Sequence, residues 1–296
     1  MTVLPSGDQW TLRAGAYAGT VVSVGGGLRG LSYGDRELLV GYAEDAPAHA
    51  GIGQQLIPWP NRITDGKYTF EGVEQQLDLT EPERSNAIHG LVRWATWERT
   101  DDGLDESRIV VAHRLYGGPG YPHQLDLAIT YDLDADTGLT VTVSAKNVGT
   151  GAAPYGYGAH PYVTVGRKID ECVLEFRAES WLDVTPDRMA PIGLQPVAGS
   201  QYDFSAGQRI QDLDIDNAFT GLPDTWVVTL ADPDSGHRAV VSSETRWMQL
   251  YTGGAIDRAG LAVEPMTCPP DSFVSGDGLV VLRPGDEHST TFRVSV

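Results

Sequence analysis

Between residues 125 and 146 the chain reads twice as a strand. Leu125, Leu127, Ile129 and Tyr131 alternate with Asp126, Ala128, Thr130 and Asp132. After Asp134–Gly138, Leu139, Val141, Val143 and Ala145 alternate with Thr140, Thr142, Ser144 and Lys146. A period of two puts every apolar side chain on one face, so the pair predicts an antiparallel hairpin with one buried and one polar face. Residues 226–244 repeat the design around Asp232–Gly236, and 68–79 predict a third hairpin turning at Glu71-Gly72. The chain closes on another alternation, Thr290, Phe292, Val294 and Val296 against Ser289, Thr291, Arg293 and Ser295, while Gly25–Gly27 marks a strand bend.

No stretch of 12 or more residues carries a 3.6-residue apolar period, so crossover helices are not expected and parallel sheets with them. The 35 glycines and 18 prolines are spread along the chain and not gathered into a linker, and no fixed-period repeat is present. The expectation is an all-β chain, a large antiparallel β-sandwich forming one domain over residues 1–296, with a ligand on its concave face.

Composition narrows the partners. With 21 basic against 40 acidic residues the net charge is −19, which repels nucleic acid and anionic lipid and favours a neutral small ligand. No apolar run approaches the roughly 18 residues that span a bilayer, and the opening residues show no signal-peptide pattern. Cys172 and Cys268 form neither a disulfide framework nor a C-x-x-C metal pattern. The expectation is a soluble, reduced, cytoplasmic protein with no cofactor; the oligomeric state is left open.

The candidate chemistry lies among seven histidines and a few embedded charges. His237, in a hairpin turn, and His288, after Pro284-Gly285-Asp286, are expected to be solvated; His113, in a strand pattern, is expected to be structural; His49 and His123 stay open. His160 stands out in GYGAHPYV. Pro161 pushes it towards an extended backbone and donates no N–H, which predicts an edge strand or a bulge, and Gly156 and Gly158 leave room for a close approach. His89 sits in the glycine-bounded loop SNAIHG. Glu264 ends the apolar run Leu261-Ala262-Val263 before Pro265 and is expected at a strand terminus, facing solvent or a cleft. Arg62 in PWPNRI and Asp216 in LDIDNAF are polar residues embedded in apolar sequence. No phosphate-cradling loop and no strand–turn–helix serine elbow is present.

In chain order, GQQLIPWPNRITDGKYTFEG, NAIHGLVRWATWE, GYGAHPYV, DNAF, AVEPMTCPPDSF and LRPGDEHSTTFRV resemble the aldose 1-epimerase (mutarotase) family. The resemblance implies the galactose mutarotase-like β-sandwich, and an acid–base enzyme that interconverts sugar anomers. By it, His160 is the general acid, Glu264 the general base and His89 the second active-site histidine, while Arg62 and Asp216 hydrogen-bond sugar hydroxyls. The HPYV sequence, the PWPNR segment and Val274 after Phe273 depart from the galactose-specific pattern and resemble a bacterial side branch.

The chemistry suits the residues. Ring opening needs one group to take the C1 hydroxyl proton and another to protonate the ring oxygen, work fitted to a carboxylate and an imidazole. A carboxylate close to His160 is expected to favour its imidazolium form and place its titration near neutrality. Three further readings stand beside this one. The substrate is an anionic sugar, a hexose 6-phosphate or sulfonated hexose, held by Arg62, Arg84 or Arg93; or the chain binds sugar without turnover; or two histidines and a carboxylate hold a metal.

Overall fold

A computed structural model describes residues 3–296 and consists almost wholly of antiparallel strands. The 125–146 hairpin forms as the alternation requires. Leu125–Asp134 pairs with Gly138–Asn147, Leu127 opposite Ala145 and Leu133 opposite Leu139, and the apolar set is buried. Trp226–Ala231 pairs with Arg238–Ser243 in the same way. At the turn joining Lys67–Phe70 to Val73–Gln76, Glu71 and Gly72 both have positive φ, 48° and 79°, the type I′ signature that matches strand twist. The glycines at 25–27 bend the chain between Tyr17–Val22 and Leu28–Tyr33.

Two sheets hold most of the strands. A 12-stranded sheet runs from Gln9–Ala14 through Tyr17–Val22, Leu28–Tyr33, Arg36–Leu39, Tyr162–Val163, Leu261–Met266, Trp247–Tyr251, Asp216–Thr220 and Ser180–Val184 to Pro191–Pro196, with Gln55–Leu56 and Gly158–Ala159 attached at its centre. In the nine-stranded sheet, Glu287–Ser295 lies between the hairpin strands Gly138–Asn147 and Arg238–Ser243. The core between the sheets takes one face of each strand: Leu127, Ile129 and Tyr131 from one, Leu31, Leu250 and Val263 from the other. Along Leu261–Met266, Leu261 and Val263 enter this core, whereas Ala262 and Met266 join small separate clusters on the opposite face. Period-two geometry places Glu264 on that second face too.

Three expectations need correction. Of the two alternatives for His160 the edge strand is wrong and the local irregularity is found: the residue lies in a break between Gly158–Ala159 and Tyr162–Val163, in the middle of the larger sheet. Glu264 is not at a strand terminus but fourth of six residues in a central strand that continues through Pro265. Proline is tolerated there because the same strand side carries Val263 N–H to Pro161 O and Thr267 N–H to Tyr157 O, and position 265 falls opposite the break, where no donor is needed. His288 is half-buried against Tyr155 on the last strand rather than solvated, and burial lowers its pKa. His237 is exposed as expected, and His113 Nδ1 contacts the Thr96 carbonyl at 3.0 Å, a structural role. Of the two undecided histidines, His49 is exposed and His123 packs edge-on against Tyr121 and Phe70. No helix among the described residues is long and apolar enough to cross a membrane.

Candidate active site

Six chain segments meet on the outer face of the larger sheet, carrying Arg62, His89, His160, Asp216, Gln249 and Glu264. The first is GYGAHPYV. A Cβ on Gly156 would lie 2.4 Å from the Cys268 sulfur, and one on Gly158 would lie 2.7 Å from Pro60. The absent side chains let the Pro58–Pro60 segment rest directly on this strand, with Gly156 N–H bonded to Pro58 O at 2.6 Å. That contact brings Arg62 towards His160. The break itself is anchored on the far side: His160 N–H donates to Gln54 O, and Gly53 N–H to His160 O, both at 3.0 Å.

Arg62 and His89 come from a separate two-stranded ribbon, Arg62–Thr64 paired with Asn86–Ile88. His89 follows it in the left-handed region at φ 65°, its N–H donating to Asn61 O at 2.8 Å. Asp271 ties the ribbon to the chain leaving the Leu261–Met266 strand. Its carboxylate accepts from Thr64 N–H at 2.6 Å, and its own N–H donates to Arg62 O at 2.8 Å.

The imidazole of His160 is 5 % exposed and the Glu264 residue 2 %. His160 Nε2 stands 3.4 Å from Glu264 Oε1. The ring stacks on Tyr162 at 4.8 Å, meets His89 edge-on at 5.5 Å, and lies so close to Gly51 that a Cβ there would be 2.7 Å from it. Arg62 forks onto Glu81 through Nε and Nη2 at 2.8 and 2.9 Å, and its Nη1 is 4.0 Å from Asp216 Oδ2. Gln249, paired in register with Glu264, donates to Asp216 Oδ1 at 2.6 Å. All five sequence candidates, His89, His160, Glu264, Arg62 and Asp216, are therefore brought together. Asp214 is exposed and accepts instead from Thr252.

Burial dominates the electrostatics. It pushes the Glu264 carboxyl well above the usual range, with Asp216 adding to the rise and Arg62 opposing it. Burial, with Arg93 adding, lowers His160 to about 3, and His89 also falls well below its ordinary value. The expectation of an imidazolium at His160 is thus overturned. A carboxylate is close, but it is as dry as the ring, and desolvation outweighs the attraction. Desolvation therefore works towards the neutral forms of both groups, a protonated carboxyl and an unprotonated imidazole.

Four buried polar atoms around this point lack any hydrogen-bond partner: His89 Nδ1, His160 Nδ1, Gln249 Oε1 and Glu264 Oε2. Unsatisfied buried groups are costly and rare, so their gathering in one place marks a site built for a ligand with several hydroxyls. No group of three or more His, Cys, Asp or Glu residues among the described residues has the arrangement to hold a metal. Glu81 and Gln249 escaped sequence reasoning because each looks like ordinary surface polarity in its own segment; only pairing across strands reveals them.

The strand order and the two facing sheets define a galactose mutarotase-like sandwich, with the His160–Glu264 cluster on the outer face of its larger sheet. The "GalM/aldose epimerase homologue" of C. elegans shares the fold at a TM-score of 0.86 and 19% identity, covering 97% of this chain and 98% of that one. The chain belongs to the aldose 1-epimerase family, whose profile matches residues 8–295. It is 36% identical to "Uncharacterized protein YihR" of Escherichia coli K12, over 98% of this chain and 93% of that protein. It is also 25% identical to the maltose epimerase of Levilactobacillus brevis, over 78% and 76%. The protein is accordingly an isomerase acting on a small sugar substrate.

Proposed function

We propose that this chain, acting as one catalytic unit, interconverts the α and β anomers of a free aldohexose. Glu264 takes the proton from the C1 hydroxyl, His160 protonates the ring oxygen, and the open aldehyde turns about C1–C2 before the reverse transfers close the ring. His89 hydrogen-bonds the C1 oxygen, while Arg62 and Asp216 hold other hydroxyls. The observation that carries this reading is the buried His160–Glu264 contact at 3.4 Å, surrounded by unsatisfied polar atoms. After ring opening the carboxyl holds the proton and the imidazole is neutral, which is the state the dry pocket already prefers. Before ring opening the proton of the pair passes from the carboxyl to the imidazole across the 3.4 Å contact, with the hydroxyls of the bound sugar stabilising the two charged forms, so that the carboxylate can take the C1 proton and the imidazolium can give its own to the ring oxygen. Anomer exchange followed by NMR across a panel of aldoses tests the reading; rates equal to the uncatalysed ones for every sugar would end it.

The pKa directions fix the pH dependence. Activity requires one proton on the pair. Because the carboxyl is raised, that proton is lost above the ordinary glutamate range, and activity falls as pH rises through that loss. Because the imidazole is lowered to about 3, a second proton arrives only near that pH. The kcat/KM profile is therefore expected to show no acid limb at the usual histidine pH of about 6.5. An acid limb centred there would mean that His160 titrates as an ordinary histidine.

One observation favours an anionic sugar as a second reading. Arg62 and Arg84 are both committed to Glu81, but Arg93 makes no ion pair among the described residues and reaches only Gln54 Oε1, at 3.5 Å. Burial lowers its pKa, and its charge depresses both histidines. In a chain of net charge −19, a half-buried arginine without a carboxylate fits a substrate phosphate or sulfonate. Arg93→Leu is expected to raise KM for hexose 6-phosphates and sulfonated hexoses by at least about tenfold while sparing glucose and galactose. Equal effects on charged and neutral sugars would remove this reading.

A further inference from the structure

Arg62 touches the pocket with only one of its edges, and the reason lies behind it. Glu81 is buried and holds the guanidinium by both oxygens, Nε to Oε2 at 2.8 Å and Nη2 to Oε1 at 2.9 Å. The same carboxylate accepts from Asn86 Nδ2 and Arg84 Nη1, each at 3.0 Å, and the Glu81 backbone exchanges two hydrogen bonds with Asn86. The loop is clamped in turn from the tip of the Ser180–Pro196 hairpin. Arg188 donates to the carbonyls of Arg84 and Ser85 at 3.1 Å, and its own carbonyl accepts from Asn86 at 2.9 Å. What remains of Arg62 is Nη1, beside Asn61 Oδ1 at 3.4 Å and Asp216 Oδ2 at 4.0 Å.

We propose that Glu81 is a positioning residue of the sugar site, gripping the Nε–Nη2 edge of the Arg62 guanidinium so that Nη1 alone faces the substrate and so that its charge on Glu264 is partly offset. The inference rests on the catalytic reading of this site. A fork-to-fork pair fixes the plane of the guanidinium as a single hydrogen bond cannot. It also sets a balance of charge. The groups facing Glu264 are Arg62 from the ribbon, Asp216 and Gln249 from neighbouring strands, Tyr162 and His160 from the broken strand, and His89 from its loop. Among these, Arg62 is the one fixed cation and Asp216 the one other carboxylate. Without Glu81 the cation would act on Glu264 unopposed from behind.

The test is Glu81→Gln, read in two ways. The Glu264 carboxyl, titrated directly by NMR with ¹³C-labelled glutamate, is expected to release its proton at a pH lower by about half a unit or more. KM for the best aldose should rise at least about tenfold as Nη1 loses its aim. In an Arg62→Met background the same change should move neither quantity, and Glu81→Asp, which keeps the charge, should leave the titration in place while raising KM. A merely structural role would alter activity and leave the titration unmoved. An unchanged titration in Glu81→Gln, or an equal shift in the Arg62→Met background, overturns the proposal. If Glu81→Gln does not fold, Glu81→Asp decides: a KM raised at least about tenfold that disappears in the Arg62→Met background, with the titration in place, supports the proposal, and a displaced titration or a rise in KM that persists in that background overturns it. The NMR titration does not depend on turnover, so a wild-type protein without epimerase activity would sink the catalytic reading, whereas an unmoved titration in Glu81→Gln would sink this inference alone.

Discussion

Glu264→Gln and His160→Ala are each expected to lower kcat/KM for anomer exchange by about 10²–10⁴-fold, since each removes one positioned proton transfer. The double variant should lose little more than the worse single, because ring opening needs both transfers in one event. Stability separates this loss from unfolding. The folded-state pKa of Glu264 is raised, so above the usual glutamate range the folded chain keeps a proton that the unfolded chain has released. The group therefore costs stability as pH rises from the usual glutamate range towards the raised folded-state pKa. Glutamine does not ionise and lacks this cost, so Glu264→Gln is expected to be less active and to melt higher at pH 7 than wild type. Thermal denaturation beside the NMR exchange assay checks both. A Tm that fell together with the rate would assign the carboxylate a structural role, and full activity in both single variants would leave a sugar-binding protein without turnover.

The second large effect is expected at Gly90. Its φ is 70°, and a Cβ would lie 2.1 Å from the Ile57 carbonyl oxygen and 2.4 Å from its carbon. Both are main-chain atoms next to Pro58, held in place by Leu91 N–H donating to the same carbonyl. They cannot move aside as a flexible side chain would. Gly90→Ala combines left-handed strain with overpacking and should destabilise the protein by roughly 2–5 kcal/mol. The corresponding fall in Tm is roughly 3–8 °C. Since His89 directly precedes it, activity should fall more than stability predicts. By contrast, Gly72→Ala keeps the strain of a positive φ but meets no atom within 4 Å, and should cost less. Equal Tm values for the two variants would show that the close approach to Ile57 is not the constraint.

Much of this molecule is legible from local pattern. The hairpins at 125–146, 226–244 and 68–79 form where alternation and turn residues place them, because a period of two leaves only one way to bury the apolar face. The site candidates were legible for a different reason. A proline after His160 and another after Glu264, and glycines around both histidines, are local departures from good strand sequence, and such departures gather at function. The sequence by itself therefore determined the all-β class, the hairpin registers and the residues that give up regularity.

Tertiary structure decided the rest. Whether His160 lies at an edge or in the middle of a sheet depends on Leu261–Met266 and Arg36–Leu39, which flank it from positions far away in the chain. The protonation of the His160–Glu264 pair was misjudged from sequence, because charge is counted along the chain while desolvation depends on what covers a group in space. Glu81 looked like one more of 40 acidic residues until the Arg62 ribbon placed it behind the guanidinium. Local pattern encodes which face of a strand is buried; the surroundings of a charge come from long-range pairing, and those surroundings set its chemistry.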